Sequence, residues 1–193
     1  MTIHADVEAL LRIVPAEHRG EERIDWTAAE AAPGTQLPSN YKSLLDTYGV
    51  GDIGELVVLP PLSVDAPDLG DCHMGSMSPG FRELWESEGG VPGISAGPEA
   101  VLPWGTGCNA NEMGWLMTDA DPDKRPVVAW RRHVSYGDSH WALFNCGMIQ
   151  FLTRMMPAEF DECPLGDASL WGRPAPSSAG ANSAADSSPD WTP

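Results

Sequence analysis

The sequence predicts an α+β domain, with N-terminal helices and a C-terminal helix packed on a twisted, largely antiparallel sheet. Three observations predict it. Up to Gly90 the apolar side chains recur mainly at helical spacing. Between Ala100 and Phe144 the pattern changes to short β-branched and aromatic segments separated by turn clusters. After Asn145 the helical period returns.

Ile3, Val7, Leu10, Leu11 and Val14 mark a first amphipathic helix that Pro15 helps to end. A short second helix is expected around Asp25 to Glu30, where Thr27 and Glu30 stand at capping-box spacing. The stretch GTQLPSNYKSLLDTYGVGDIG (34–54) then specifies a turn and a third helix. Ser39 is its expected N-cap, Tyr41, Leu44, Leu45 and Tyr48 form its buried face, and Gly49 is its C-terminal stop. Ile53 to Leu59 reads as one strand ending at Pro60. From Pro60 to Gly80 the composition of Pro, Gly, Ser and Asp predicts a long surface excursion, and Phe81, Leu84, Trp85 and Glu88 a helix closed by Gly89 and Gly90.

The strands of the second half are expected near 100–104, 112–118, 126–131 and 139–144, as an antiparallel meander. Asn145 is a good N-cap for a last helix, Cys146 to Met156, with Ile149, Leu152, Met155 and Met156 as its apolar stripe. From Gly172 to Pro193 the chain is reduced mainly to Pro, Ala, Ser, Gly, Asn and Asp, which bury too little apolar surface to offset ordering. The reading is therefore a single domain over 1–171 and a disordered acidic tail over 172–193.

With 28 acidic and 11 basic side chains the formal net charge is −17. A field of that sign repels nucleic acid and anionic membrane and speeds encounter with a basic partner. No apolar run approaches the roughly 20 residues that span a bilayer, and the first residues lack the features of a signal peptide, so the cytoplasm is the expected compartment. Cys72, Cys108, Cys146 and Cys163 are scattered, which suits reduced thiols.

Catalytic motifs are not found. Asp119, Asp121 and Asp123 imitate the start of a calcium loop, but Lys124 and Trp130 stand where glycine and a bidentate acid are required, so a hairpin turn is expected. Cys72, His73, Cys108, His133, His140 and Cys146 form no metal-ligand pair in sequence. Gly105 and Gly107 lack the third glycine and the context of a nucleotide loop. No metal and no cofactor is expected. Trp104, Trp115, Trp130 and Trp141 fall in or beside strands, either as core or as the lining of a groove on an open sheet face.

Trp26, Glu30, Gly34, Leu37 and Pro38, then Tyr41, Leu44, Leu45, Tyr48, Gly49 and Gly51, follow a pattern W-x-x-x-E, G-x-x-L-P and an aromatic-bearing helix ending in Y-G-x-G. With Leu102 to Gly105, Trp115, Pro126 to Val128 and Phe151-Leu152 in the same order, the chain resembles the SMI1/KNR4 (SUKH) superfamily over residues 24–156. The resemblance implies an α+β fold without catalytic residues. It also implies an immunity protein that binds and neutralises a polymorphic toxin, often a nuclease or deaminase. The segment 60–80 and the part beyond Pro157 depart from the pattern. Expected contacts are Trp104 and Trp115 as aromatic anchors, with Glu112, Asp119, Asp121 and Asp123 around them. The alternatives are a scaffold or regulatory protein and, from another class, a small metal-dependent hydrolase.

Overall fold

The computed structural model describes residues 3–16, 24–61, 72–166 and 170–172. The tail expected from residue 172 lies, from 173 onward, outside the described residues, as do 62–71 of the expected excursion. The elements are α1 (Ala5–Leu11), α2 (Trp26–Ala31), α3 (Ser39–Tyr48), β1 (Gly51–Ile53), β2 (Leu56–Val58), α4 (Met74–Glu88), β3 (Val101–Gly107), β4 (Glu112–Leu116), β5 (Val127–Trp130), β6 (Trp141–Phe144) and α5 (Met148–Met155). The six strands form one antiparallel sheet in the order β1-β2-β3-β4-β5-β6, so the α+β class holds, and each strand lies beside its neighbour in sequence.

Alternation along the strands sends side chains into two separate cores. Leu102, Trp104, Met113, Trp115, Val127 and Ala129 enter the larger one, where Val7, Leu10, Tyr41, Leu44, Ile149 and Leu152 of α1, α3 and α5 cover them. Val101, Leu116, Val128 and Trp141 point to the other face, where Phe81 and Trp85 of α4 lie across them. Trp141 meets Phe81 at 5.1 Å and Trp85 at 4.8 Å between ring centroids, both edge to face. A register shift between Pro103 and Gly105 opposes two residues of β3 to one step of β4. This bulge turns both Trp104 and the α-carbon of Gly105 to the larger core, where strict alternation would allow only one.

Several local expectations are corrected. Ser39 is not the cap of α3 but its first residue, because its N–H and hydroxyl both donate to the Asp123 carboxylate, at 2.6 and 3.0 Å. The cap therefore comes from a distant loop. Thr27 and Glu30 form no capping box: Asp25 accepts from the N–H groups of Thr27 and Ala28, and Glu30 reaches forward to Leu37 and Lys42 instead. The single strand expected over 53–59 is a hairpin, since the chain reverses at Gly54-Glu55 and pairs Ile53 with Leu56. The segment read as surface excursion contributes the start of α4. His73 and Ser76 close a capping box there, and Pro79 lies inside the helix. Burial of Met74, Phe81 and Trp85 outweighs the poor helix propensity of that composition. The last helix starts at Met148 with Gly147 as its cap, two residues later than expected. None of the four cysteines is in a disulfide.

Candidate functional site

The stretch 34–54 is held by bonds that span the molecule. Tyr41 lies edge to face against Trp115 (5.2 Å) and Trp26 (6.2 Å), and its hydroxyl donates to the Leu59 carbonyl at 2.7 Å. Tyr48 donates to the Val14 carbonyl at 2.7 Å, tying α3 to the end of the first helical segment. Leu37 and Pro38 are buried, and Gly34 and Gly49 have φ of +67° and +81°. At Gly49 that backbone closes α3, where its N–H donates to the Leu45 carbonyl. Gly51 opens β1. Burial pulls the Glu30 carboxyl up, but the Lys42 ammonium and the Leu37 N–H together outweigh it and hold the carboxyl below its ordinary value. These residues are a scaffold whose polar groups are already taken.

The residues expected to make contacts with a partner do not gather at one surface. Trp104 and Trp115 lie in the larger core, 0% and 1% exposed, so neither serves as a surface anchor. The helices α1, α3 and α5 cover the sheet face that an open groove would need. The three aspartates form a structural loop. Asp119 accepts from the Asp121 N–H at 2.9 Å, Asp121 accepts from the Asp123 N–H at 3.2 Å, and Asp123 holds Ser39. Asp121 also pairs with Lys124 at 3.0 Å, and the hydrogen bond from Lys124 is the main reason its carboxyl lies below its ordinary value. With Lys124 and Arg125 beside them, the three aspartates leave the loop one net negative charge. An open groove of about 310 Å³ separates this loop from the start of α5, lined by Asp123, Lys124 and Pro126 on one side and Cys146, Gly147 and Gln150 on the other.

Glu112 is placed differently. Because Met113 and Trp115 enter the larger core, Glu112 faces the α4 side. The register carries a single row across the sheet through Asp52, Val57, Thr106, Glu112, Trp130 and Trp141. Burial raises the carboxyls of both Asp52 and Glu112, and Oε2 of Glu112 has no hydrogen-bond partner. Above this row, α4 exposes Glu83 and Glu86 on the side opposite Phe81 and Trp85, and Glu88 accepts from the Trp130 indole N–H at 2.9 Å. Arg82 is the one basic residue of α4 and is paired with Glu99 at 2.9 Å. The α4 side therefore presents an acidic surface. Of its members only Glu112 was expected. The signal for the others was the helical spacing of Glu83 and Glu86 against that of Phe81 and Trp85.

Glu112 supplies a direct test. A carboxyl raised by folding is penalised above its folded pKa, and the penalty is relieved as pH falls through that value. Glu112→Gln is expected to raise the urea midpoint at pH 7, with the gain over wild type disappearing as pH falls through the folded pKa of the carboxyl. A gain that is the same at pH 4 and pH 7 would contradict this account.

Among the described residues, no three His, Cys, Asp or Glu side chains gather as a metal site, and no helix is long and apolar enough to cross a membrane. Comparison with family models, with curated proteins and with solved structures gave no match. The fold and its surface define an α+β domain whose N-terminal sequence pattern is largely internal and whose α4 side carries a group of exposed carboxylates.

Proposed function

We propose that this chain is a non-catalytic binding protein of the cytoplasm, an immunity protein of the SMI1/KNR4 (SUKH) type. In this reading it neutralises a cognate polymorphic toxin of nuclease or deaminase class by direct contact. The observation that carries the reading is the interlocking of Trp26, Glu30, Leu37, Tyr41 and Tyr48 through bonds to β4, to the chain after β2 and to the chain after α1. That is the scaffold role the family resemblance assigns to those residues, and it leaves the surface to recognise the partner. The net charge of −17 and the carboxylates on the α4 side support a partner with a basic surface, as an enzyme acting on nucleic acid has.

Survival is the primary test. The toxin domain encoded beside this gene is expressed in a host with and without this protein, with an unrelated toxin as control, and rescue confined to the neighbouring toxin is the expected result. The electrostatic part has its own measurement. Glu83→Lys combined with Glu86→Lys is expected to slow association about tenfold at low ionic strength, with the difference shrinking as salt is added. Association that is indifferent both to these charges and to salt would remove the α4 side from the interface.

A further inference from the structure

The β5–β6 connection, residues 131–140 (RRHVSYGDSH), is a hairpin with a tightly fastened base and a bare tip. At the base, the Arg131 guanidinium donates to the carbonyls of Ser139 (2.7 Å) and His140 (3.4 Å), and the Arg131 N–H donates to the His140 carbonyl at 2.9 Å. Nδ1 of His140 lies 2.6 Å from the Arg131 carbonyl, and its ring stacks on Trp130 at 5.6 Å. The Arg132 N–H donates to the buried Asn111 side chain at 2.9 Å. At the tip, the Asp138 N–H closes a turn onto the Ser135 carbonyl at 3.0 Å. Tyr136 sits in this turn. It is the one large hydrophobic side chain that is fully exposed among the described residues.

Exposing an aromatic ring on a fastened turn gives the folded monomer nothing, since Tyr136 buries no surface there. It is, however, what a binding anchor requires: large area, few rotatable bonds and a backbone already in place, so that little entropy is lost on docking. Arg132 is also exposed and makes no side-chain bond among the described residues. Tyr and Arg are among the side chains that most often dominate interface energetics. The charge of the hairpin also runs against that of the molecule. It holds two arginines and two histidines with one aspartate, in a chain of net charge −17. It leaves the sheet at Trp130, whose indole bonds Glu88 at the end of α4, so it borders the acidic surface.

We propose that this hairpin is the docking element of the protein. Tyr136 enters an apolar pocket on the partner, and Arg132 pairs with carboxylate oxygens at the rim of that pocket. The partner is a protein whose basic cleft contains acidic groups: the carboxylates of the α4 side face the cleft walls and the hairpin reaches the acids within. Nucleic acid is disfavoured as the partner because the hairpin borders the α4 carboxylates on a chain of net charge −17, and both repel phosphate. The proposal rests on the immunity reading and names the contact that reading lacks.

The test uses the purified full-length chain and the neighbouring-gene toxin domain, with Kd measured for wild type, Tyr136→Ala, Arg132→Ala and, as a control in the same turn, Ser135→Ala. Tyr136→Ala is expected to weaken binding roughly 30-fold or more and Arg132→Ala about tenfold, mainly through faster dissociation. Ser135→Ala is expected to bind like wild type, and all three variants to melt like it. Wild-type binding with Tyr136→Ala and Arg132→Ala both within about threefold of it would overturn the proposal while sparing the immunity reading. Absence of wild-type binding, with the toxin shown to be active, would remove the immunity reading and this proposal with it. A short duplex DNA serves as the competing ligand, and saturable binding lost in Arg132→Ala would also overturn the proposal in favour of nucleic acid.

Discussion

Replacing Arg125 with Met is expected to lower the unfolding free energy by roughly 3 kcal/mol, through loss of several charge-assisted hydrogen bonds. Arg125 is only 6% exposed. Its guanidinium donates to the Gln36 carbonyl (2.8 Å), the Thr35 hydroxyl (2.8 Å) and the Asp119 carbonyl (3.2 Å). One planar fork thus clasps the turn before α3 to the β4–β5 loop, while Asp123 in that loop holds Ser39 at the start of α3. Burial draws the guanidinium pKa down, against Asp119 and Asp121, which raise it, yet an arginine remains charged throughout the stable range of a protein. Met retains much of the apolar stem but leaves three acceptors without their donor. Arg125→Lys keeps the charge and loses the fork, so it is expected to recover less than half of the loss. Both are read from urea midpoints at a common m value. A loss below about 1 kcal/mol for Met would mean that water replaces the fork and the clasp carries little. Since Thr35 and Gln36 lie in the G-T-Q-L-P turn, the same variant should also loosen the docking of α3, which hydrogen exchange at the Tyr41 to Leu45 amides would detect.

Arg125 also shows what the sequence leaves unread. In the run Pro122-Asp123-Lys124-Arg125-Pro126 it is one more charge in a turn, and local pattern gives no reason to bury it. Its three acceptors lie up to 90 positions away. The same holds for Asp123 and Ser39: serine after proline is a good local cap, but a carboxylate from another loop takes both its N–H and its hydroxyl. By contrast, what depends on period was legible. Tyr41, Leu44 and Leu45 are buried as their spacing requires, and all four strands of the meander are where alternation and turn clusters put them. Short elements were harder. Three-residue strands such as β1 and β2 are too brief for a period to distinguish a hairpin from one longer strand, and the glycine at position 54 is the only local sign of the reversal. The start of α4 was hidden by Pro79 and its small neighbours, because Phe81 and Trp85, which stabilise the helix, find their partners on β3, β4, β5 and β6. For the candidate site, tryptophan in a strand signals burial as readily as exposure. Only the helices α1, α3 and α5 on their face decide that Trp104 and Trp115 are core. The exposed Tyr136 stands in a turn of ordinary composition, and nothing in its neighbours' identities marks it as bare.

Gly114→Ala is the second variant with a large expected effect, and its logic is steric. A Cβ built at Gly114 would stand 2.4 and 2.8 Å from two ring carbons of Phe81 and 2.7 Å from the carbonyl oxygen of Leu102. Gly114 lies within β4 and is not among the glycines with positive φ, so its backbone suits any residue and the need for glycine is one of space. Phe81 belongs to α4 and Leu102 to β3, so the added methyl presses on the helix above and on the strand beside it at once. A side chain can rotate away, whereas the carbonyl is fixed by its place in the sheet. The expected cost is roughly 3 kcal/mol, at the upper end for overpacked cores. A double-mutant cycle separates the two contacts. In a Phe81→Leu background the ring carbons are gone, so Gly114→Ala should cost less there than in wild type, and the remainder measures the clash with Leu102. Equal costs in both backgrounds would place the whole penalty on the strand and acquit the helix. Because α4 carries Glu83, Glu86 and Glu88, a displaced helix also moves the acidic surface. Gly114→Ala should therefore slow association with a basic partner even where the variant remains folded, a result that a purely local defect in β4 would not produce.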